Sequence, residues 1–225
     1  MPRSPTLARP PVPRRLLRPL PLLLAAAIGC EDVKEEGDDH DHGHEDLFTT
    51  VVLTFTPDDG GDALTFTWTD PESDGSPEID PITLPDGGDG DAHEPRGYLL
   101  SVGFFNAAED PPHDITPEIE DAGVEHLVLL LGSAVQGPGT GDNPGALFTH
   151  TYLDADDNGV PIGLSHEVQT LALGEGELEL TLRHMPSESG VAIKTDESLG
   201  TVAADGQGAL GGGVDVQVTF PVSVD

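Results

Sequence analysis

The 225-residue chain contains one cysteine, one tryptophan and two tyrosines, and sets nine Lys and Arg against 42 Asp and Glu. A lone cysteine, Cys30, excludes an intrachain disulfide, so the fold cannot rest on a disulfide framework. The scarcity of basic residues argues against a phosphate-binding surface, and nucleic acid is not an expected partner. Anionic headgroups would be repelled for the same reason. Cations are the ligands such a charge favours, and its self-repulsion weakens the compact state unless counterions or bound metal screen it. The stretch Leu20-Pro-Leu-Leu-Leu-Ala-Ala-Ala-Ile-Gly29 is apolar but far short of the roughly 20 residues a bilayer-spanning helix needs. No nucleophile elbow, HExxH or Gly-rich phosphate loop is present, so an enzyme is not expected, and a hydrolase without these signatures is the alternative.

The first thirty residues divide by their physics. Arg3, Arg9, Arg14, Arg15 and Arg18 come before any acid, as in the positive region of an export signal. The apolar stretch follows, and Ala27-Ile28-Gly29-Cys30 resembles a lipobox, with Ala27 where Leu is more usual. This pattern predicts a signal peptide over residues 1–29, cleavage before Cys30 and lipidation of Cys30. The implied destination is the bacterial cell envelope, at the outer membrane, facing either the periplasm or the surface. Cleavage would leave 225 − 29 = 196 residues, with Lys34, Arg96, Arg183 and Lys194 against 42 acids, a formal charge of 4 − 42 = −38. On such a surface membrane attachment must come from the lipid.

Residues 30–46 read as a flexible acidic tether, because Val33 is the only bulky apolar residue between Glu31 and Asp46. Within it, His40, His42 and His44 stand at alternate positions among carboxylates. Imidazoles so spaced in an unstructured segment can close on one Zn, Cu or Ni ion, and a solvated acidic spacer with incidental histidines is the competing reading.

From residue 47 onward, short apolar or alternating runs are broken by Gly, Pro, Asp and Asn. Strands are predicted at Phe48 to Thr56, Ala63 to Thr69, Tyr98 to Asn106, Glu125 to Leu131, Leu147 to Asp154, Ile162 to Leu173, Glu177 to His184 and Val214 to Val224. Ile79, Ile82 and Leu84 suggest one further short edge strand. Thr116-Pro-Glu-Ile-Glu-Asp-Ala-Gly123 carries the one helical signal, with Thr as N-cap, Pro at the first position and Gly as stop. The expectation is one all-β domain over residues 47–225, an antiparallel β-sandwich of immunoglobulin-like or jelly-roll-like type with one short helix.

Three segments, Glu109-Asp-Pro-Pro-His-Asp-Ile-Thr116 running on to Gly123-Val-Glu-His-Leu127, Asp154-Ala-Asp-Asp-Asn-Gly-Val-Pro-Ile-Gly163, and Leu182-Arg-His-Met-Pro186, carry a resemblance. Together with the lipoprotein start, the chain resembles a family of small, functionally uncharacterised bacterial lipoproteins. The type 1 periplasmic binding fold by which that family goes implies two doubly wound α/β lobes, for which this chain has neither the length nor the helices. What the resemblance implies is an exported lipoprotein, with no catalytic residues attached.

Two candidate sites lie in the folded part. Asp154, Asp156 and Asn158 stand at the first, third and fifth positions of a calcium-loop pattern with Gly159 at the sixth, but Ser165 replaces the bidentate Glu at the twelfth. Asn158-Gly159 between two strands also reads as a hairpin turn, which the missing Glu favours. Asp70-Pro-Glu-Ser-Asp-Gly75 poses the same choice more weakly. His126 and His184 sit in strand-like segments and could meet, with Glu109 or Asp110 as a third donor, in a second metal site. The functional expectation is a lipid-anchored acidic envelope protein binding divalent cations, Zn or Ca. A glycan- or protein-binding adhesion module is the alternative, although Trp68, Tyr98 and Tyr152 are the only Trp and Tyr available for an aromatic platform.

Overall fold

The structure is a computed structural model that describes residues 47–88 and 93–225. Cys30, His40, His42 and His44 lie outside the described residues. Among the described residues, twelve strands form two packed sheets.

The strands are β1 (Thr50–Pro57), β2 (Leu64–Thr69), β3 (Glu78–Ile79), β4 (Ile82–Leu84), β5 (Gly97–Asn106), β6 (His113–Asp114), β7 (His126–Leu131), β8 (Val135–Gln136), β9 (Phe148–Tyr152), β10 (Ser165–Thr170), β11 (Gly174–His184) and β12 (Gly213–Val224). The larger sheet runs β3-β2-β1-β5-β10-β9-β8, with β6 beside β5; the smaller runs β4-β12-β11-β7. All eight principal strands expected from the sequence are present. The single edge strand expected near residues 79–84 is instead two, β3 and β4, placed in different sheets. Pairing is antiparallel except for β4 with β12 and β8 with β9, so both sheets are mixed.

Alternation explains which face is buried. Val51, Leu53 and Phe55 of β1 and Leu178, Leu180 and Leu182 of β11 are fully buried in one inter-sheet core, with Val52, Thr54, Glu179 and Thr181 between them on the other face. Each such side chain contributes about 1.5–3 kcal/mol relative to exposure. Alternation fails in β7, where Leu127, Val128, Leu129 and Leu130 are all buried. The cause is helix α2 (Ser198–Asp205), for which the sequence carries no clear helical signal. Val202 and Leu199 pack with Leu127, Leu129 and Met185 in a second cluster, covering the outer face of the smaller sheet.

Helix α1 (Thr116–Asp121) lies where expected, with Pro117 in its first turn. Thr116 is not its N-cap: Ile115 holds that place, and the Thr116 hydroxyl accepts the Phe104 N–H at 2.9 Å, tying α1 to β5. A 3-10 turn, Gly123–Glu125, leads from α1 directly into β7.

Candidate functional site

Each sheet carries a cross-strand pair of histidines. In the smaller sheet His126 of β7 lies opposite His184 of β11. The next pair along, Glu125 and Met185, is joined by the Met185 N–H donating to the Glu125 carbonyl at 2.6 Å. His126 and His184 are therefore a non-hydrogen-bonded pair, the type whose side chains stand closest. Their rings stack with centroids 5.0 Å apart and planes at 12°. They continue the core-facing row beyond Val128 and Leu182, which makes them the polar end of the inter-sheet core.

Carboxylates surround this pair. His126 Nε2 lies 4.0 Å from Asp215 Oδ2, and His184 Nε2 lies 3.8 Å from Glu125 Oε2. Asp215 is the extra residue of a bulge, because Leu182 pairs with Val216 but Arg183 with Val214. Bulges re-aim side chains in this way. His126 Nδ1 lies 3.1 Å from the Ala122 carbonyl. A carbonyl only accepts, so Nδ1 carries the proton and the neutral ring presents its lone pair at Nε2, toward Asp215. Burial holds the His126 ring below the ordinary histidine value, with the Ala122 hydrogen bond opposing.

The Ala122 carbonyl is itself held in place. Lys194 donates from Nζ to the adjacent Gly123 carbonyl at 2.6 Å and forms an ion pair with Asp156 Oδ2 at 3.0 Å, both side chains being shielded from solvent. Ile162 packs closely on Gly123, where a Cβ would stand 2.6 Å from Ile162 Cδ1. Burial pulls the Lys194 ammonium below its ordinary value, and Asp156 opposes that. Burial pushes the Asp156 carboxyl up, but the Val160 N–H and the Lys194 ammonium outweigh it and hold the group below the usual range.

The Asp154–Gly159 segment is thus a turn whose oxygens are engaged. Asp156 Oδ1 accepts from the Asn158 and Val160 N–H groups, and Gly159 N–H closes on the Asp156 carbonyl at 2.9 Å with φ +79°. Asp154 accepts from the N–H groups of Gly163, Leu164 and Ser165. A calcium ion would compete with a protein ammonium and five backbone donors. Asp70 likewise accepts from Asp74 and Gly75 N–H in a turn. Glu109, considered as a partner for His126 and His184, accepts from Asn106 Nδ2 beside β5 instead.

The second pair is His150 of β9 and His166 of β10, both buried, with Nδ1 atoms 3.1 Å apart. His166 Nε2 lies 2.9 Å from the Gly163 carbonyl, so it carries the proton. His166 Nδ1 then accepts, and His150 donates from its own Nδ1. This leaves a buried lone pair on His150 Nε2, packed against Gly137, where a Cβ would be 2.1 Å away. Tyr152 packs on both rings. Burial and the neighbouring His166 push His150 down to about 3, and burial pushes His166 down to about 4.

Among the described residues, no three His, Cys, Asp or Glu side chains are grouped closely enough as they stand to hold a metal ion. Nothing in the sequence pattern marks Glu125, Asp215, Lys194 or the buried histidine pair as site residues. Glu125 adjoins His126 and was within reach of it. Asp215 joins the site only through the bulge, which has no sequence signature. Among the described residues no helix is long and apolar enough to cross a membrane. Comparison of the chain with models of known protein families, with curated proteins and with solved structures finds no match.

Proposed function

We propose that this chain is a non-enzymatic, lipid-anchored protein of the bacterial envelope whose role is to bind divalent cations. Its sandwich would be joined to the membrane through residues 30–46 and a lipid on Cys30. The observation that carries the cation-binding part is the apposition of the His126–His184 pair with the carboxylates of Glu125 and Asp215. The excess of 42 acids over nine bases supports it by attracting cations to the whole surface. Parts of the three segments that carry the lipoprotein resemblance also touch: His126 and Leu127 pair with His184 and Arg183, and Gly123 packs against Ile162.

Anchoring is tested by growing cells with a fatty-acid analogue and fractionating them. The expected result is a labelled wild type in the membrane fraction and an unlabelled, soluble Cys30→Ala variant, since diacylglycerol plus an N-acyl chain supplies the attachment. A wild type that stays soluble and unlabelled contradicts the lipoprotein reading. Cation binding is tested by calorimetric titration of Zn and Ca into the chain beginning at Cys30. Absence of heat from both ions contradicts the cation-binding reading.

A further inference from the structure

We propose that His126 and His184, with Asp215 and Glu125 as oxygen donors, form a binding site for a divalent transition-metal ion of the zinc class, additional to any binding by His40, His42 and His44. This rests on the cation-binding reading and gives it a place within the sandwich.

His126 is already oriented as a metal ligand would be. Its Nδ1–H is committed to the Ala122 carbonyl, which fixes the tautomer and aims the Nε2 lone pair outward, the arrangement that ligating histidines commonly share. That lone pair faces the Asp215 carboxylate across 4.0 Å. Two electron-rich groups facing one another at this distance are stabilised by a cation between them. Two donors with bonds of about 2 Å to a tetrahedral ion stand about 3.3 Å apart, so a side-chain rotation that closes the 4.0 Å gap by about 0.7 Å would seat both on one ion.

His184 supplies the second imidazole from the directly opposed position. Its side chain is 44 % exposed, which leaves it free to turn from the stacked arrangement so that its Nε2 reaches the same ion. Glu125 Oε2 is then within reach as a fourth donor, being 3.8 Å from His184 Nε2. Two imidazoles with carboxylates suit Zn, Cu or Ni, whereas Ca and Mg prefer oxygen alone. The Asp154–Asn158 turn makes the contrast, because its oxygens are taken up by backbone donors and Lys194.

The test uses the chain with His40, His42 and His44 changed to Ala, into which Zn is titrated calorimetrically. The expected result is one ion bound per chain, with His126→Gln and His184→Gln each weakening it by at least about tenfold, the lower end of what loss of a mere supporting group costs a metal site. Excess Ca is expected not to displace the ion. His184→Gln alters a half-exposed side chain and keeps the test decisive should His126→Gln fold poorly. Unchanged Zn affinity in His184→Gln, or displacement of Zn by Ca, overturns the proposal, since binding would then belong to the acidic surface at large. If the chain with His40, His42 and His44 intact still binds Zn or Ca, the broader cation-binding reading survives; if it binds neither, both fail.

Discussion

The two histidine pairs use the same residue type on neighbouring antiparallel strands and reach opposite chemistries. His150 donates to His166, which donates to the Gly163 carbonyl, and the one remaining lone pair, on His150 Nε2, is sealed in the core against Gly137. His126 and His184 stack, and each turns its Nε2 toward a carboxylate at the rim of the sandwich. The difference lies in what surrounds each pair. Gly137 and the core close over the first, while the 3-10 turn before β7 and the bulge in β12 bring Glu125 and Asp215 to the second. A histidine pair is structural when its lone pairs are used or sealed inside the fold, and available to a ligand when a pinned tautomer leaves one facing an anion at the rim.

The largest expected effect comes from cutting the support of the open pair. Lys194→Met leaves the Asp156 carboxylate shielded from solvent with no counter-charge, and loss of one partner of a buried ion pair costs about 3–5 kcal/mol. Urea unfolding should show this loss, and Zn affinity should fall as well, because the turn holding the Ala122 carbonyl loosens. A loss below about 1 kcal/mol would mean that the ion pair is solvated. Next comes the closed pair: Gly137→Ala drives a methyl into the His150 ring, an overpacking expected to cost about 1–3 kcal/mol. Zn affinity should be unchanged in that variant, and a parallel drop would show that the two pairs are not independent.

A smaller and more gradual effect follows from protonation of the closed pair. His150 and His166 have folded values of about 3 and about 4, below the unfolded value near 6.5, so the unfolded chain binds more protons between those limits. Their contribution is fully present above pH 6.5 and is lost as pH falls toward 4, by about 1.4 kcal/mol per pH unit for each histidine. Carboxylates titrate in the same range, so the measurement is a difference. The slope of unfolding free energy between pH 6 and 4 should be shallower in a His150→Asn, His166→Gln double variant than in the wild type. Equal slopes would mean the pair is protonated in the folded state.

Much of the fold was legible because β-sheet alternation is a local signal. Leu178-Glu-Leu-Thr-Leu182 and Leu64-Thr-Phe-Thr-Trp68 announce their strands residue by residue. Helix α2 was not legible: Ser198-Leu-Gly-Thr-Val-Ala-Ala-Asp205 offers only Leu199 and Val202 as large apolar contacts, and it forms against a surface that β7 supplies from far away in the chain. The meeting of His126 with His184 was within reach of the sequence as a conjecture about two strands, but their register was not. Asp215 needed the bulge and Lys194 needed the fold, since its partners Gly123 and Asp156 are remote in sequence. The calcium-like spacing of Asp154, Asp156 and Asn158 illustrates the converse, a genuine local pattern whose oxygens the tertiary structure uses for a turn.

The central claim, that one histidine pair is open to a metal ion and the other is sealed, is tested most directly by imidazole nitrogen NMR of the chain lacking His40, His42 and His44. Before metal, His126 and His166 should show opposite tautomers, with the proton on Nδ1 of His126 and on Nε2 of His166. On addition of one equivalent of Zn, the Nε2 resonances of His126 and His184 should shift together while those of His150 and His166 stay in place. Zn-induced shifts at His150 and His166, or a His126 proton found on Nε2, would contradict the account.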